Sequence, residues 1–189
     1  MKNIRIIIFT IFIFQLCFPI LAQQNWVQIS DTEAGITFAI PGNLQQYDTL
    51  STRFYASQIS DNEAVQVHIF ENATPDFSDE ILATALAQEN GDSLLTIARL
   101  MALVSNCEIT SLTEIYDNGN RGIELEINYM TQGHEMPYTT VVRYFLINNH
   151  FISFAWTGET VNNPSYVPGT IPHPSYPTRN AFFQSITTQ

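Results

Sequence analysis

Alternation of apolar and polar residues predicts β-strands over most of the chain. The clearest case is Ile123, Leu125 and Ile127, which alternate with Glu124 and Glu126 and therefore predict a strand with one buried face. The last two predicted strands are apolar at nearly every position, so we expect them to lie centrally, covered on both faces. The predicted strands are 25–30, 36–40, 52–59, 65–69, 109–116, 123–129, 138–147 and 150–156.

A helical spacing of apolar residues replaces the alternation in the middle of the chain. Ser78 can cap a helix, and Asn-Gly-Asp at 90–92 interrupts the apolar stripe that follows. This pattern predicts either two short helices or one broken helix across 79–105. A short closing helix is predicted over 179–186, with its aromatic residues facing inward. The order of these elements predicts an α+β fold with a mostly antiparallel sheet.

Two asparagine-rich segments predict tight turns between neighbouring strands. Residues 117–120 are Asp-Asn-Gly-Asn and residues 148–149 are both Asn, residue types that tolerate a left-handed backbone. The first segment superficially resembles a calcium loop, but it lacks the alternating ligands and distal glutamate of an EF-hand. We therefore predict a hairpin turn at each place.

A proline-rich segment, residues 158–178, separates the last strand from the closing helix. Its five prolines exclude a regular element, and a connection of this length is either a functional loop or a cover for the sheet edge. Its aromatic rings could contact a peptide, a glycan or an apolar ligand. The candidate partner-binding residues are Trp156 at its base, Tyr166, His173 and Tyr176.

The first 22 residues have the order of a secretory signal peptide. Lys2 and Arg5 precede a short apolar run, and the small residue Ala22 ends the segment. The run is shorter than the about 20 residues that a membrane span requires. We therefore expect an exported protein, periplasmic or secreted, whose mature chain 23–189 is a single domain without stable membrane insertion.

Charge restricts the classes of partner. The chain has 18 acidic and 7 basic residues; without Lys2 and Arg5, the five remaining arginines leave a net charge of −13 and no lysine. Such a surface repels nucleic-acid phosphates and anionic lipid head groups. It is compatible with solubility alone, with a cationic protein partner, or with loose binding of divalent cations.

No residue pattern indicates catalysis, a metal site or a cofactor. The chain lacks a nucleophile elbow and a phosphate-binding glycine loop, and its four histidines do not have the spacing of a zinc site. His134 and Glu135 are adjacent but have no second ligand nearby, which favours ordinary loop polarity. We therefore predict that the protein is not an enzyme.

The paired glutamates of the clearest strand leave an alternative open. Glu124 and Glu126 share a strand face at a spacing that could suit the carboxylate pair of a glycoside hydrolase. The favoured interpretation is a solvent-facing strand, or pairing with Arg143 or Arg121.

Five short motifs follow one another along the predicted domain. They are Trp26, Glu33-Ala34-Gly35-Ile36-Thr37-Phe38-Ala39-Ile40-Pro41-Gly42, Gly122-Ile123-Glu124-Leu125, Arg143-Tyr144-Phe145 and Ala181-Phe182-Phe183-Gln184-Ser185-Ile186. Their order resembles the PsbP-like superfamily, which includes a lumenal photosystem II subunit, a nuclear import factor and many exported bacterial domains. The resemblance implies an antiparallel sheet flanked by helices in an α/β/α sandwich. It also implies a non-catalytic scaffold that docks on a partner. The lumenal subunit uses lysines for its contacts, and these are absent after residue 22.

The sequence thus predicts an exported, non-catalytic module that docks on a protein partner, and its acidic surface is compatible with a cationic one. One alternative is a carrier of a small apolar ligand, which requires an internal cavity of about 300 Å³ or more. A second alternative is a hydrolase with a dispersed active site, which requires a histidine within hydrogen-bond reach of a carboxylate or a serine.

Overall fold

Antiparallel β-sheet makes up most of the structure. The computed structural model describes residues 25–49, 51–71, 85, 87, 89–104, 108–129, 138–160 and 176–189. The strands are β1 (Trp26–Asp31), β2 (Ile36–Pro41), β3 (Gln45–Asp48), β4 (Thr52–Ser60), β5 (Glu63–Glu71), β6 (Glu108–Asp117), β7 (Asn120–Tyr129), β8 (Tyr138–Ile147), β9 (His150–Glu159) and β10 (Thr187–Thr188). The helices with described bounds are α1 (Ser93–Val104) and α2 (Pro177–Ser185).

The strands form two sheets in which all neighbours are antiparallel. Within the described residues, the large sheet has seven strands in the order β3-β4-β5-β9-β8-β7-β6, and the small sheet has three in the order β1-β2-β10. Strands β9 and β8 lie inside the large sheet and are buried on both faces, which confirms the prediction made from their apolar sequences. Asn148 and Asn149 have φ angles of 48° and 62°, which allow the tight turn between these two strands.

The small sheet and helix α2 cover one face of the large sheet, here called the β2 face. Phe154 of β9 makes edge contacts with Phe38 of β2 at 5.6 Å and with Phe182 of α2 at 6.5 Å between ring centroids. All three rings are completely buried. The Ala39 N–H donates to the Ser185 hydroxyl at 2.9 Å, which attaches the end of α2 to β2. The main core therefore lies between the two sheets.

Helix α1 packs on the opposite face of the large sheet, here called the α1 face. Ile97 and Ala98 of the helix are buried together with Leu125 of β7 and Tyr144 of β8. Burial raises the pKa of the Tyr144 hydroxyl above its usual value. The inward residues of β7 predicted by alternation therefore contact α1.

The start of α1 confirms the predicted helix interruption. Asn90 and Gly91 have left-handed backbones, with φ angles of 54° and 81°, which a continuous helix does not allow. Asp92 then caps α1, because its carboxylate accepts the Leu95 N–H at 3.0 Å. Most of the first half of the predicted helical region, 79–88, lies outside the described residues.

The β6–β7 turn attaches the last residues of the chain to the large sheet. Asp117 accepts the Thr188 N–H at 2.6 Å through its carboxylate and the Thr188 hydroxyl at 2.7 Å through its carbonyl. The Asn118 side chain donates to the Thr188 carbonyl at 2.9 Å. The segment 117–120 is thus a hairpin turn, as predicted, and it holds β10 beside β2.

The structure corrects the predicted balance between helix and strand. The prediction was an α+β fold with the sheet flanked by helices in an α/β/α sandwich, whereas the structure is mostly β. The reason is that β1 and β2 pair with each other and lie across the large sheet, so a second sheet shares one covering layer with α2.

Two short strands were missed, and the element boundaries on both sides of the proline-rich segment moved. All four residues of β3 are exposed, and β10 has only two residues, so neither carries an apolar alternation. Strand β9 continues to Glu159, and α2 begins at Pro177, whose fixed φ suits the first turn of a helix. Both ends of the predicted irregular segment 158–178 therefore belong to regular elements.

Candidate functional site

A cleft opens on the β2 face between helix α2 and the edge strand β6. It has a volume of about 260 Å³ and is partly open to solvent. The opening exists because strands β7 and β8 separate β6 from the part of the sheet that α2 covers. The cleft is lined by Ile115, Tyr116 and Asp117 from β6, Arg143 and Phe145 from β8, and Phe183 and Ile186 from the end of α2.

The absence of a side chain at Gly122 gives the cleft its floor. Gly122 of β7 pairs directly with Phe145 of β8, and a Cβ atom at Gly122 would lie 2.6 Å from Cε1 of the Phe145 ring. The ring therefore occupies the place of the missing side chain and is 1% exposed. Gly122 lies just before the predicted strand 123–129 and inside the observed β7, and a glycine at this position was the sequence signal that could have indicated this close approach.

A buried ion pair lies beside this floor. The Arg143 Nε donates to Glu124 Oε2 at 2.8 Å, and the guanidinium carbon lies 4.6 Å from the centre of the Phe183 ring. Glu124 is 3% exposed and Glu126 is 7% exposed. The predicted pairing of Glu124 with Arg143 is confirmed, and the alternative of a solvent-facing strand is wrong. Direct cross-strand register explains the difference, because it places opposite charges side by side and allows burial.

Two of the predicted partner-binding residues are buried against each other. The Trp156 and Tyr176 ring centroids are 4.6 Å apart, and both residues are at least 90% buried. The Trp156 indole N–H donates to Glu63 Oε1 at 2.8 Å, and the Tyr176 hydroxyl donates to the Glu159 carbonyl at 2.9 Å. These contacts fix the end of β9 and the residue before α2 on the sheet.

The other two predicted partner-binding residues, Tyr166 and His173, lie outside the described residues. The role of all four in partner binding therefore stays a prediction. His134, Glu135 and Cys107 also lie outside the described residues.

All five arginines after residue 22 lie in the described part of the chain, and each is ion-paired or buried. Four of them contact seven carboxylates between them. The fifth, Arg179, is completely buried, with its guanidinium carbon 6.0 Å from the centre of the Trp156 ring. The four ion-paired arginines are Arg53, Arg99, Arg121 and Arg143.

The pairing of Arg121 shows how strongly these charges are matched. Its guanidinium hydrogen-bonds to both Asp92 carboxylate oxygens and also contacts Glu114. The bond from Arg121 holds the pKa of the Asp92 carboxyl below its usual range. The exposed carboxylates Asp48 and Asp61 are thus left facing solvent while the arginines of the described residues are already engaged.

The two described histidines have structural surroundings. The His68 ring packs between the rings of Phe54 and Phe70, with centroid distances of 4.5 Å and 5.9 Å. The Nδ1 atom of His150 lies 2.8 Å from the Asn148 carbonyl oxygen. Among the described side chains, no three from His, Cys, Asp and Glu come close enough together to hold a metal ion. Within the same ranges, no helix has the length and apolar character needed to cross a membrane.

The fold is similar to that of cyanobacterial PsbP. The solution structure of PsbP (CyanoP) from Synechocystis sp. PCC 6803 aligns with a TM-score of 0.50 and 16% sequence identity, over 92% of this chain and 97% of that one. An identity this low shows the fold alone. The chain therefore has a PsbP-like fold, which confirms the resemblance seen in its sequence motifs.

Two further solved structures show a weaker likeness. A protein from Bacteroides thetaiotaomicron VPI-5482 has a TM-score of 0.45 and 7% identity, over 86% of this chain and 48% of that one. A protein of unknown function from Pseudomonas aeruginosa has a TM-score of 0.36 and 12% identity, over 70% and 82%. Neither likeness supports an argument about this chain. No protein-family model and no curated protein sequence matches it.

Proposed function

We propose that this chain is an exported, non-catalytic accessory module that docks on a protein partner through its acidic surface. The observation that carries the proposal is the state of the five arginines in the described part of the chain, of which four are ion-paired and one is buried. All 18 acidic residues lie after residue 22. The surface therefore favours a partner with exposed cationic groups.

One end of the large sheet combines this acidity with the predicted loop. Asp61 is exposed in the β4–β5 turn, and Glu63 follows it at the start of β5. The Asn62 side chain donates to Glu159 Oε1 at 2.6 Å, so the last residue of β9 lies against the same turn. Carboxylates thus surround the point where the chain enters 161–175, which supports this end as a docking surface.

Export and the non-catalytic role rest on separate observations. Export is supported by the signal-peptide pattern of residues 1–22, which lie outside the described residues. The non-catalytic role is supported by the surroundings of His68, which packs on aromatic rings, and of His150, which contacts a backbone carbonyl. A PsbP-like fold is compatible with an accessory role but does not assign one by itself.

The described core gives less support to the alternative of an apolar-ligand carrier. Phe38, Phe154 and Phe182 fill the space between the two sheets with edge-to-face contacts. The cleft on the β2 face is about 260 Å³ and opens to solvent. A carrier would require a larger, enclosed cavity.

The proposal is tested by quantitative capture from the envelope fraction of the host, at low and at moderate ionic strength. The charge variant carries Asp61→Asn and Glu159→Gln, and its matched control carries Gln58→Asn and Gln66→Asn, two neutral exposed positions on the neighbouring strands β4 and β5. We expect capture of a specific protein to fall with salt and with the charge variant, and to be unchanged in the control. A captured protein that neither salt nor the charge variant affects would contradict acidic docking.

The contribution of the proline-rich segment is tested by Tyr166→Ala. Tyr176 is less suitable, because it is buried against Trp156 and its replacement would disturb the core. We expect Tyr166→Ala to weaken partner capture while leaving the unfolding midpoint unchanged. Unchanged capture would show that Tyr166 does not contact the partner.

A further inference from the structure

The cleft between α2 and β6 offers a place where a cationic partner can be anchored. We propose that it receives one lysine or arginine side chain of the partner, and this proposal rests on the proposed function. The aliphatic stem would lie against Ile115, Phe145 and Ile186, with the charged head near Asp117.

The size and lining of the cleft suit one long side chain. Its volume is about 260 Å³, and its apolar lining includes the buried Phe145 ring, Ile115 of β6 and Ile186 at the end of α2. Lysine and arginine bury their aliphatic stems on apolar surface while the charged head stays in contact with water. The partly open shape of this cleft allows that arrangement.

The charged side chains around the cleft favour a cation. Asp117 on β6 accepts the Thr188 N–H at 2.6 Å, which fixes its carboxylate in place. A carboxylate offers about four acceptor positions, so this bond leaves capacity for a further donor. The positive charge of Arg143 is matched by Glu124 at 2.8 Å, and Glu126 lies two residues further along the same face of β7. Among the charged residues that line the cleft, Arg143 is thus already balanced by an ion pair, and Asp117 supplies the remaining, negative charge.

The end of helix α2 adds a second, independent contribution. The helix ends at Ser185, so its last carbonyl groups lack backbone partners within the helix, and the Ser185 hydroxyl donates to one of them, that of Phe182, at 2.7 Å. This end carries the negative part of the helix dipole, and Phe183 and Ile186 place it at the cleft. Arg143 already contacts the Phe183 carbonyl at 3.4 Å, which shows that a cationic group can approach this end.

The test uses nuclear magnetic resonance titrations of the exported form with three blocked amino acids. The ligands are the N-acetyl methylamides of lysine, of its uncharged analogue norleucine, and of glutamate. We expect the lysine ligand to shift the methyl signals of Ile115 and Ile186 and to bind several-fold more tightly than the norleucine ligand. We expect the glutamate ligand to bind most weakly. The comparison between lysine and norleucine separates the charged head from the apolar stem.

Two matched variants then locate the charge. Asp117→Asn keeps an acceptor for the Thr188 N–H but removes the negative charge, so we expect lysine affinity to fall by about two- to five-fold. Asp48→Asn removes an exposed charge from β3 at the opposite edge of the large sheet, and we expect no change. A similar loss in both variants would show that only the overall charge of the protein matters, which would overturn the proposal.

Other results would also overturn the assignment. They are equal affinities for lysine and norleucine, tighter binding of glutamate, or lysine-dependent shifts that spare Ile115 and Ile186. A different result would contradict the proposed function, namely partner capture that neither salt nor the Asp61 and Glu159 substitutions change. Salt-sensitive capture that Asp117→Asn does not weaken would contradict the cleft alone.

Discussion

The two faces of the large sheet bury different chemistry. The β2 face combines a closely packed aromatic core with the Glu124–Arg143 ion pair, and its central ring, Phe154, is completely buried. On the α1 face, helix α1 packs against β7 and β8. The aromatic side chains on β4 and β5 of that face are only half-buried. These are Phe54, His68 and Phe70.

The candidate site lies on the β2 face, which is the more closely packed of the two. The cleft there does not come from loose packing, because its floor ring is buried and its neighbouring charges are paired. Its opening comes from the separation of α2 and the edge strand β6, and the missing side chain at Gly122 lets the Phe145 ring form its floor. A rigid surround of this kind positions a binding site more precisely than a half-covered surface. The comparison can be tested by substitutions on each face.

The largest expected effect is that of removing a ring from the β2 face. Phe154→Ala leaves a cavity next to Phe38 and Phe182, and we expect the free energy of unfolding to fall by about 3–5 kcal/mol. The matched substitution on the α1 face, Phe70→Ala, removes a half-buried ring and should cost about 1–2 kcal/mol. Urea unfolding of both variants measures the difference. Equal losses would show that the two faces contribute alike.

The next effect is that of breaking the buried ion pair. Glu124→Gln leaves the Arg143 charge without its partner, and because Arg143 keeps some access to solvent we expect a loss of about 2–3 kcal/mol. The double variant Glu124→Leu with Arg143→Met removes both charges and should recover most of that loss. A loss of about 0.5 kcal/mol or less for Glu124→Gln is typical of an exposed pair and would contradict burial.

A smaller effect is expected from filling the floor of the cleft. Gly122→Ala places a methyl group against the Phe145 ring, which must move, and we expect a loss of about 1–3 kcal/mol. Adding Phe145→Leu should recover part of the loss, because the smaller side chain leaves room for the new methyl group. If Gly122→Ala alone leaves stability and the Phe145 ring signals unchanged, the close approach of the ring is not required.

The sequence predicts local structure better than it predicts the site. The predictions of a helix interruption at 90–92 and of turns at 117–120 and 148–149 were correct, because each feature depends on the backbone preferences of its own residues. The burial of Glu124 depends on which residue of β8 lies opposite, and alternation alone does not give that register. The cleft depends on the same register, since it places Gly122 against Phe145. Contacts between a loop and a partner depend on a second molecule, so the local preferences of the sequence predict them even less well.

The smallest expected effect depends on pH and belongs to the α1 face. His68 packs against Phe54 and Phe70, and burial lowers the pKa of its imidazole from the usual 6.5. The folded protein therefore binds this proton less readily than the unfolded chain does. The contribution of the neutral His68 imidazole to the free energy of unfolding is fully present above pH about 6.5. It is lost progressively as the pH falls from there towards the pKa of the folded state.

His68→Phe tests this dependence, because a phenylalanine ring fits the aromatic surroundings and does not titrate. We expect the free energy of unfolding of the unmodified protein to fall relative to that of the variant as the pH decreases below about 6.5. Urea unfolding at a series of pH values measures the difference. The control is Gln66→Asn, at an exposed position of the same strand, which keeps the histidine and both of its aromatic neighbours and should retain the dependence. A constant difference across the series would mean that His68 titrates alike in the folded and unfolded states, and that this side of the large sheet is open enough to hydrate an imidazolium.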